Sequence, residues 1–247
     1  MRRIFALATA LLGALAITAV AIAGQAGPSP SGQVQVMDAA HSPNKASKKK
    51  KPVGTNVTIT LALTKTDGTK PSPTTHTTVT LPTGMQLNYT KFPQCDQSKL
   101  ASQGPKGCPS KSKVGSGSLK ANAQPVVTDP VGGTVTAFNG KNKTYLLYVV
   151  PELSSPLIIP GKLKGTKKKP ILDFTVPLVP TLPGQPNATL TYFQVKTGKK
   201  KIKKGKKTYW YIANPTKCPK GGWPWKLAFT YENGETLAPT DNATCKK

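Results

Sequence analysis

VTITLALT, residues 57–64, sets Val57, Ile59, Leu61 and Leu63 against Thr58, Thr60, Ala62 and Thr64. A two-residue period with one apolar side marks a half-buried strand, because successive side chains leave a strand on opposite faces. Asp67-Gly68 and the prolines at 71 and 73 interrupt the pattern; residues 74–81 resume it before the turn residues Pro82-Thr83-Gly84. Residues 116–123 and 133–138 read as weaker strands, and Asn139-Gly140 signals a hairpin into TYLLYVV, residues 144–150. That run is apolar on both faces, so it is expected to be covered on both sides. Residues 157–163, 171–176, 189–195, 208–212 and 226–231 follow as strands, and Asn233-Gly234 closes a last hairpin.

About ten short strands separated by turns predict an all-β chain, an immunoglobulin-like antiparallel β-sandwich over residues 53–247. Two Ig-like halves meeting near residue 130 are the alternative, each then holding one disulfide. Helix is poorly supported: the chain carries 22 Gly and 24 Pro. Outside the first 23 residues, no long run repeats apolar residues at helical spacing.

Residues 1–23 read as a secretory signal peptide: Arg2-Arg3 start it, 5–22 are apolar, and Ala21-Ile22-Ala23 forms a small-residue cleavage site. Once it is removed, no stable transmembrane segment is expected. Residues 24–52, low in apolar content and ending in Lys48–Lys51, read as a flexible, disordered linker. In an exported chain an even number of cysteines points to disulfides. Cys95 lies near Cys108 and Cys218 near Cys245, so the expected pairs are 95–108 and 218–245; two other connectivities exist. Each bridge stabilises the fold by roughly 3 kcal/mol. No C-x-x-C pair supports a zinc site instead.

GPKGCPSKSKVGSG (104–117), LLYVVPEL, PTLPGQPNATLTYF and the ending CPKGGWPWKLAFTYENGE…C resemble blocks of exported actinobacterial proteins with no assigned activity. The resemblance covers most of residues 81–245. It implies a secreted β-sandwich with two local disulfides and supplies no catalytic residue.

Formal net charge is +26, and +24 without Arg2 and Arg3, after which every basic side chain but histidine is lysine. The lysines cluster in the connections between strands: Lys164, Lys167, Lys168 and Lys169 in one, and Lys199, Lys200, Lys201, Lys203, Lys204, Lys206 and Lys207 in another. If successive strands run antiparallel, alternate connections share one end, and these two join Lys141 and Lys143 there. Such a pole attracts polyanions by a salt-dependent, sequence-independent term. For an exported protein the candidate partners are anionic cell-wall polymers or lipid head groups. Absence of arginine argues against sequence-specific reading of nucleic acid. The plainer role of these lysines is solubility, as charges at hairpin tips keep β-proteins from pairing edge to edge.

Enzyme chemistry finds little footing. His41 falls in the linker, and His76 sits alone in a Thr-rich strand as the only base a hydrolase triad could use. No G-x-S-x-G elbow, phosphate loop or metal-ligand motif occurs, and Ser116 in GSG reads as an ordinary turn. No cofactor is implied. Five N-x-T sequons, at Asn56, Asn88, Asn142, Asn187 and Asn242, arise easily in a chain rich in Asn and Thr. Besides polyanion binding, the sequence leaves a carbohydrate-recognition module that uses Trp210, Trp223 or Trp225 as sugar platforms, or a hydrolase with an unrecognised site.

Overall fold

The computed structural model describes residues 24–166 and 168–247; the expected signal peptide lies outside the described residues. The chain begins with β1 (Gln25–Ala26), β2 (Gln33–Ser42), β3 (Asn56–Lys65), β4 (Thr74–Thr80) and β5 (Gln86–Leu87). A helix α1 (Gln97–Gln103) precedes β6 (Lys113–Asn122), β7 (Val131–Asn139), β8 (Thr144–Pro151), β9 (Leu157–Gly165) and β10 (Pro170–Thr175). Then come β11 (Thr189–Gly198), β12 (Lys201–Lys204), β13 (Lys207–Trp210), β14 (Ile212–Ala213), β15 (Trp223–Tyr231), β16 (Thr236–Leu237) and β17 (Thr240–Ala243).

Apart from the small pairs β12–β13 and β5–β14, these strands form one sheet in the order β1-β2-β3-β11-β6-β7-β8-β9-β10-β4-β15-β16, with β17 also on β15, and every pairing is antiparallel. The all-β, antiparallel expectation holds. The sandwich does not: the sheet curls on itself instead of stacking two layers. Its ends approach where the Ala39 amide donates to Asp241 on β17 (2.8 Å), and where Lys45 and Lys246 bridge in parallel. Near-closure of this kind leaves few free edges to aggregate. Nor do two halves meet near residue 130, because β11 sits between β3 and β6, and β4 between β10 and β15.

The flexible-linker expectation for residues 24–52 is corrected as well. Residues 33–42 form β2, paired along its length with β3 from Gln33↔Lys65 to Ser42↔Asn56. Gln33, Gln35, Met37, Ala39 and His41 all turn inward and are buried. The physical reason is polar satisfaction: the Gln35 side chain donates to Ala62 O (3.0 Å) and accepts from the Tyr231 hydroxyl (3.1 Å), and Gln33 donates to Glu235 (3.0 Å). A buried amide with its partners in place is compatible with a core that hydropathy alone would deny it.

Inward positions elsewhere follow the alternation. Val57, Ile59 and Leu61 face Thr197, Val195 and Phe193 across β3–β11, and Leu227 and Phe229 of β15 lie opposite Val79 and Thr77 of β4. The Thr-Lys-Ser side of these strands points out, the inverse of a membrane barrel's apolar exterior. Among the described residues, no helix is long and apolar enough to cross a membrane.

TYLLYVV is covered on both faces, as its composition demands. Tyr145, Leu147 and Val149 point inward, while Leu146 joins a second cluster with Phe138, Leu100, Cys95 and Cys108 on the outside. The segment between β5 and β6 is therefore a cover laid over the outer face of β7 to β9. Asp96 caps α1 by accepting from the Ser98 amide (3.0 Å). Cys95–Cys108 and Cys218–Cys245 are the bridges, with Cα separations of 4.9 and 5.8 Å.

Asn139 is not a turn residue. Buried at the end of β7, its amide donates to Tyr89 O and Pro93 O (both 3.0 Å) and fastens the cover. The turn itself is Lys141–Thr144, with Asn142 and Lys143 both at positive φ, 55° and 58°, the twist a two-residue hairpin favours. The GSG run is no turn either, since Gly115 and Gly117 lie within β6.

A candidate anion-binding end

Register decides where the lysine-bearing connections emerge. Thr144 at the start of β8 lies opposite Lys162 near the end of β9, so the β7–β8 and β9–β10 turns share one end. Following the sheet, Ile171↔Thr80 and Lys226↔Thr80 bring the end of β4 and the start of β15 to that side. On the other flank Thr197↔Gly115, Thr197↔Val57 and His41↔Val57 bring the end of β11, the start of β3 and the end of β2. One end of the molecule thus gathers residues 43–55, 140–143, 166, 168–169, 199–222 and the C-terminus.

The expected pole is assembled by this topology. Lys164, Lys168 and Lys169 are exposed on the β9–β10 connection; Lys167 lies outside the described residues. Lys199 and Lys200 follow β11, Lys201, Lys203 and Lys204 are on β12, Lys206 is in the turn and Lys207 is on β13, all exposed. Lys141 and Lys143 are exposed at the same end. Two of these cations have carboxylate partners: Lys164 pairs with Asp173 (3.0 Å) and Lys141 with Asp96 (2.8 Å). Those contacts and the hydrogen bonds around them hold both carboxyls below the usual carboxylate range, the Lys side chain being the largest cause in each case.

Sequence reading missed a further group. Lys45 and Lys48, in the stretch that reads as a linker, and Lys217 and Lys247, in no lysine cluster, all rim a cleft of about 720 Å³ at this end. Ser47, Thr83 and Thr216 supply hydroxyls, and Cys218 and Trp223 form part of its wall. The cleft draws on four separate stretches of chain, so no local motif announces it. The second disulfide holds two of those stretches together, tying 218 to the C-terminal tail.

The opposite end has the other sign. Asp67, Asp129, Glu152, Glu232 and Glu235 lie in connections there, with Lys65 and Lys70. Glu235 accepts from the Ser29 hydroxyl (2.7 Å) and from the Ser31 amide and hydroxyl (2.7 and 2.6 Å). Its carboxyl is lowered to about 2, the Ser31 side chain contributing most. The charge is therefore not only large but polarised along the barrel.

Other candidate residues have structural places. Trp223 and Trp225 are 1% and 3% exposed, in the core beneath His41, so neither is a sugar platform. Trp210 is half-buried, its ring packed on Gly54, where an added Cβ would lie 2.0 Å from it. His76 Nε2 contacts Asp173 (3.3 Å) on the outer face, and among the described residues no serine hydroxyl bonds to it. No group of His, Cys, Asp or Glu able to hold a metal occurs among the described residues.

Comparison with protein-family models, with curated proteins and with solved structures returned no match for this chain.

Proposed function

We propose that this is an exported, non-enzymatic barrel that binds anionic polymers or lipid head groups of the cell envelope through its lysine end. The observation that carries the reading is the convergence of the lysine-bearing connections on one end of an antiparallel sheet, around a lysine-rimmed cleft. Two disulfides fit an oxidising compartment. Flexible lysine side chains provide point charges without bidentate geometry, so recognition is of charge density and not of sequence or stereochemistry.

Binding of a fluorescent linear polyphosphate to residues 24–247 across a NaCl series tests this. Affinity should fall steeply and linearly in log[salt]. A variant with Lys199, Lys200, Lys201, Lys203, Lys204, Lys206 and Lys207 changed to Gln should bind more than tenfold more weakly at low salt, with a shallower salt slope. Undiminished binding by that variant would remove the lysine end as the functional surface. Salt-independent binding would remove the polyanion reading altogether.

A further inference from the structure

The barrel interior is not filled. Inside the curled sheet lies a cavity of about 160 Å³ whose lining runs from Leu87, Tyr211 and Ile212 near the lysine end to Thr74, Val176 and Leu190 at the other. The cause is geometric. About eight strands give a barrel whose side chains just fill it, and this sheet has more, so Val, Leu and Phe side chains leave the axis open. Ile59, Leu61, Val79, Ile159, Leu172 and Val195 point inward, yet none of them is fully buried. Interior apolar surface of that kind loses dispersion contacts for as long as nothing occupies the space.

The lining carries no charged side chain. It does carry one unsatisfied polar atom: Thr77 Oγ1 is buried with no hydrogen-bond partner among the described residues. Thr77 sits on β4 between Phe174 of β10 and Phe229 of β15. An unpaired buried hydroxyl is unfavourable, and rotation of the Thr77 side chain about its Cα–Cβ bond would turn it to the cavity, where an occupant with a matching group would satisfy it.

We infer that the barrel interior is a binding site for a small, uncharged, largely apolar molecule bearing one hydrogen-bonding group, met by Thr77 Oγ1. Size sets the class. A dry cavity of about 150 Å³ lined by Leu, Ile and Phe in another protein accepts benzene, so one ring or a short branched chain fits here, and a long acyl chain does not. An ionised head group is excluded from the interior by its desolvation cost. This site is independent of the lysine end and stands or falls apart from it.

Toluene and benzyl alcohol are the probes, titrated into residues 24–247 with Leu, Val and Ile methyl resonances observed by NMR and thermal midpoints recorded alongside. Expected are saturable shifts confined to inward methyls such as those of Leu61, Val79, Leu172 and Val195, and a midpoint that rises with ligand concentration. In Thr77→Val, toluene should bind as before and benzyl alcohol about tenfold more weakly. Absence of saturable shifts with either probe would overturn the site. Equal benzyl alcohol affinity in wild type and Thr77→Val would overturn the role given to Thr77. Shifts that map to the lysine-rimmed cleft instead would also overturn the interior site.

Discussion

A chain that starts at Val53 is expected not to fold, although residues 53–247 include every strand that is readable from hydropathy. Removing residues 24–52 takes away β2 and with it one wall of the barrel. Leu61 and Leu63 of β3 would lose Met37 and Gln35 as cross-strand neighbours, and the β3 edge would lose a ladder ten residues long. Asp241, buried on β17, would lose the Ala39 amide that donates to it (2.8 Å). Tyr231 would lose the Gln35 acceptor of its hydroxyl (3.1 Å), and Trp225 would lose the His41 acceptor of its indole N–H (3.1 Å). Stranded buried polar groups cost about 1–3 kcal/mol each, and the exposed apolar area adds to that. Against a typical total of about 5–15 kcal/mol, the sum is enough to abolish a cooperative fold. Amide dispersion by NMR and urea unfolding of 53–247 beside 24–247 decide the matter. A truncated chain with native dispersion and an unchanged unfolding midpoint would show β2 to be a dispensable strap.

That expectation marks where sequence reading stops. VTITLALT was legible because its apolar side is its inner side. In QVQVMDAAHS the same alternation exists, but Val34 and Val36 face out, and Gln33, Gln35 and His41 face in. Hydropathy points the wrong way there, and only the partners on β3, β15 and the 214 region explain it, all distant in sequence. The double-sided apolarity of TYLLYVV was legible as coverage but not as the identity of the cover, a disulfide-closed loop anchored by Asn139. The lysine pole followed from connection parity alone, because parity survives the change from sandwich to barrel. Neither the cleft nor the interior cavity was accessible in that way. One is framed by segments brought together by closure, and the other is set by strand number.

His41, the inward end of the same strand, should make stability fall as the solution is acidified from pH 7 towards 4. Its ring is buried against Trp223 (centroids 4.7 Å apart) and bridges two fixed partners. Trp225 Nε1 can only donate, so His41 Nε2 must accept (3.1 Å), and Nδ1–H donates to Asn214 Oδ1 (2.7 Å). Asn214 is itself fixed, donating to Pro43 O (2.8 Å) and Lys45 O (2.9 Å). Protonating Nε2 would set two donors face to face inside an apolar core. Burial lowers the group to about 4 from 6.5, opposed in part by the Asn214 bond. The unfolded chain therefore takes up the proton first. Stability from this source is complete above about pH 6.5, is lost as pH falls towards 4 and reaches its floor below that, a loss of about 3 kcal/mol. Carboxylates enter the same experiment lower down. Glu235 and Asp67, both lowered to about 2, lose stabilisation near and below their ordinary range, while Asp38, raised by burial and by Asp241, acts in the opposite sense. The interval from pH 6.5 to 5 thus separates His41 from these lowered carboxylates. Urea midpoints there should drop for the wild type and stay flat for His41→Gln, whose amide does not titrate but whose stability is lower throughout. A wild-type profile flat over that interval would mean that the folded ring takes up its proton as readily as the unfolded one and that the Trp225 bond does not hold it neutral.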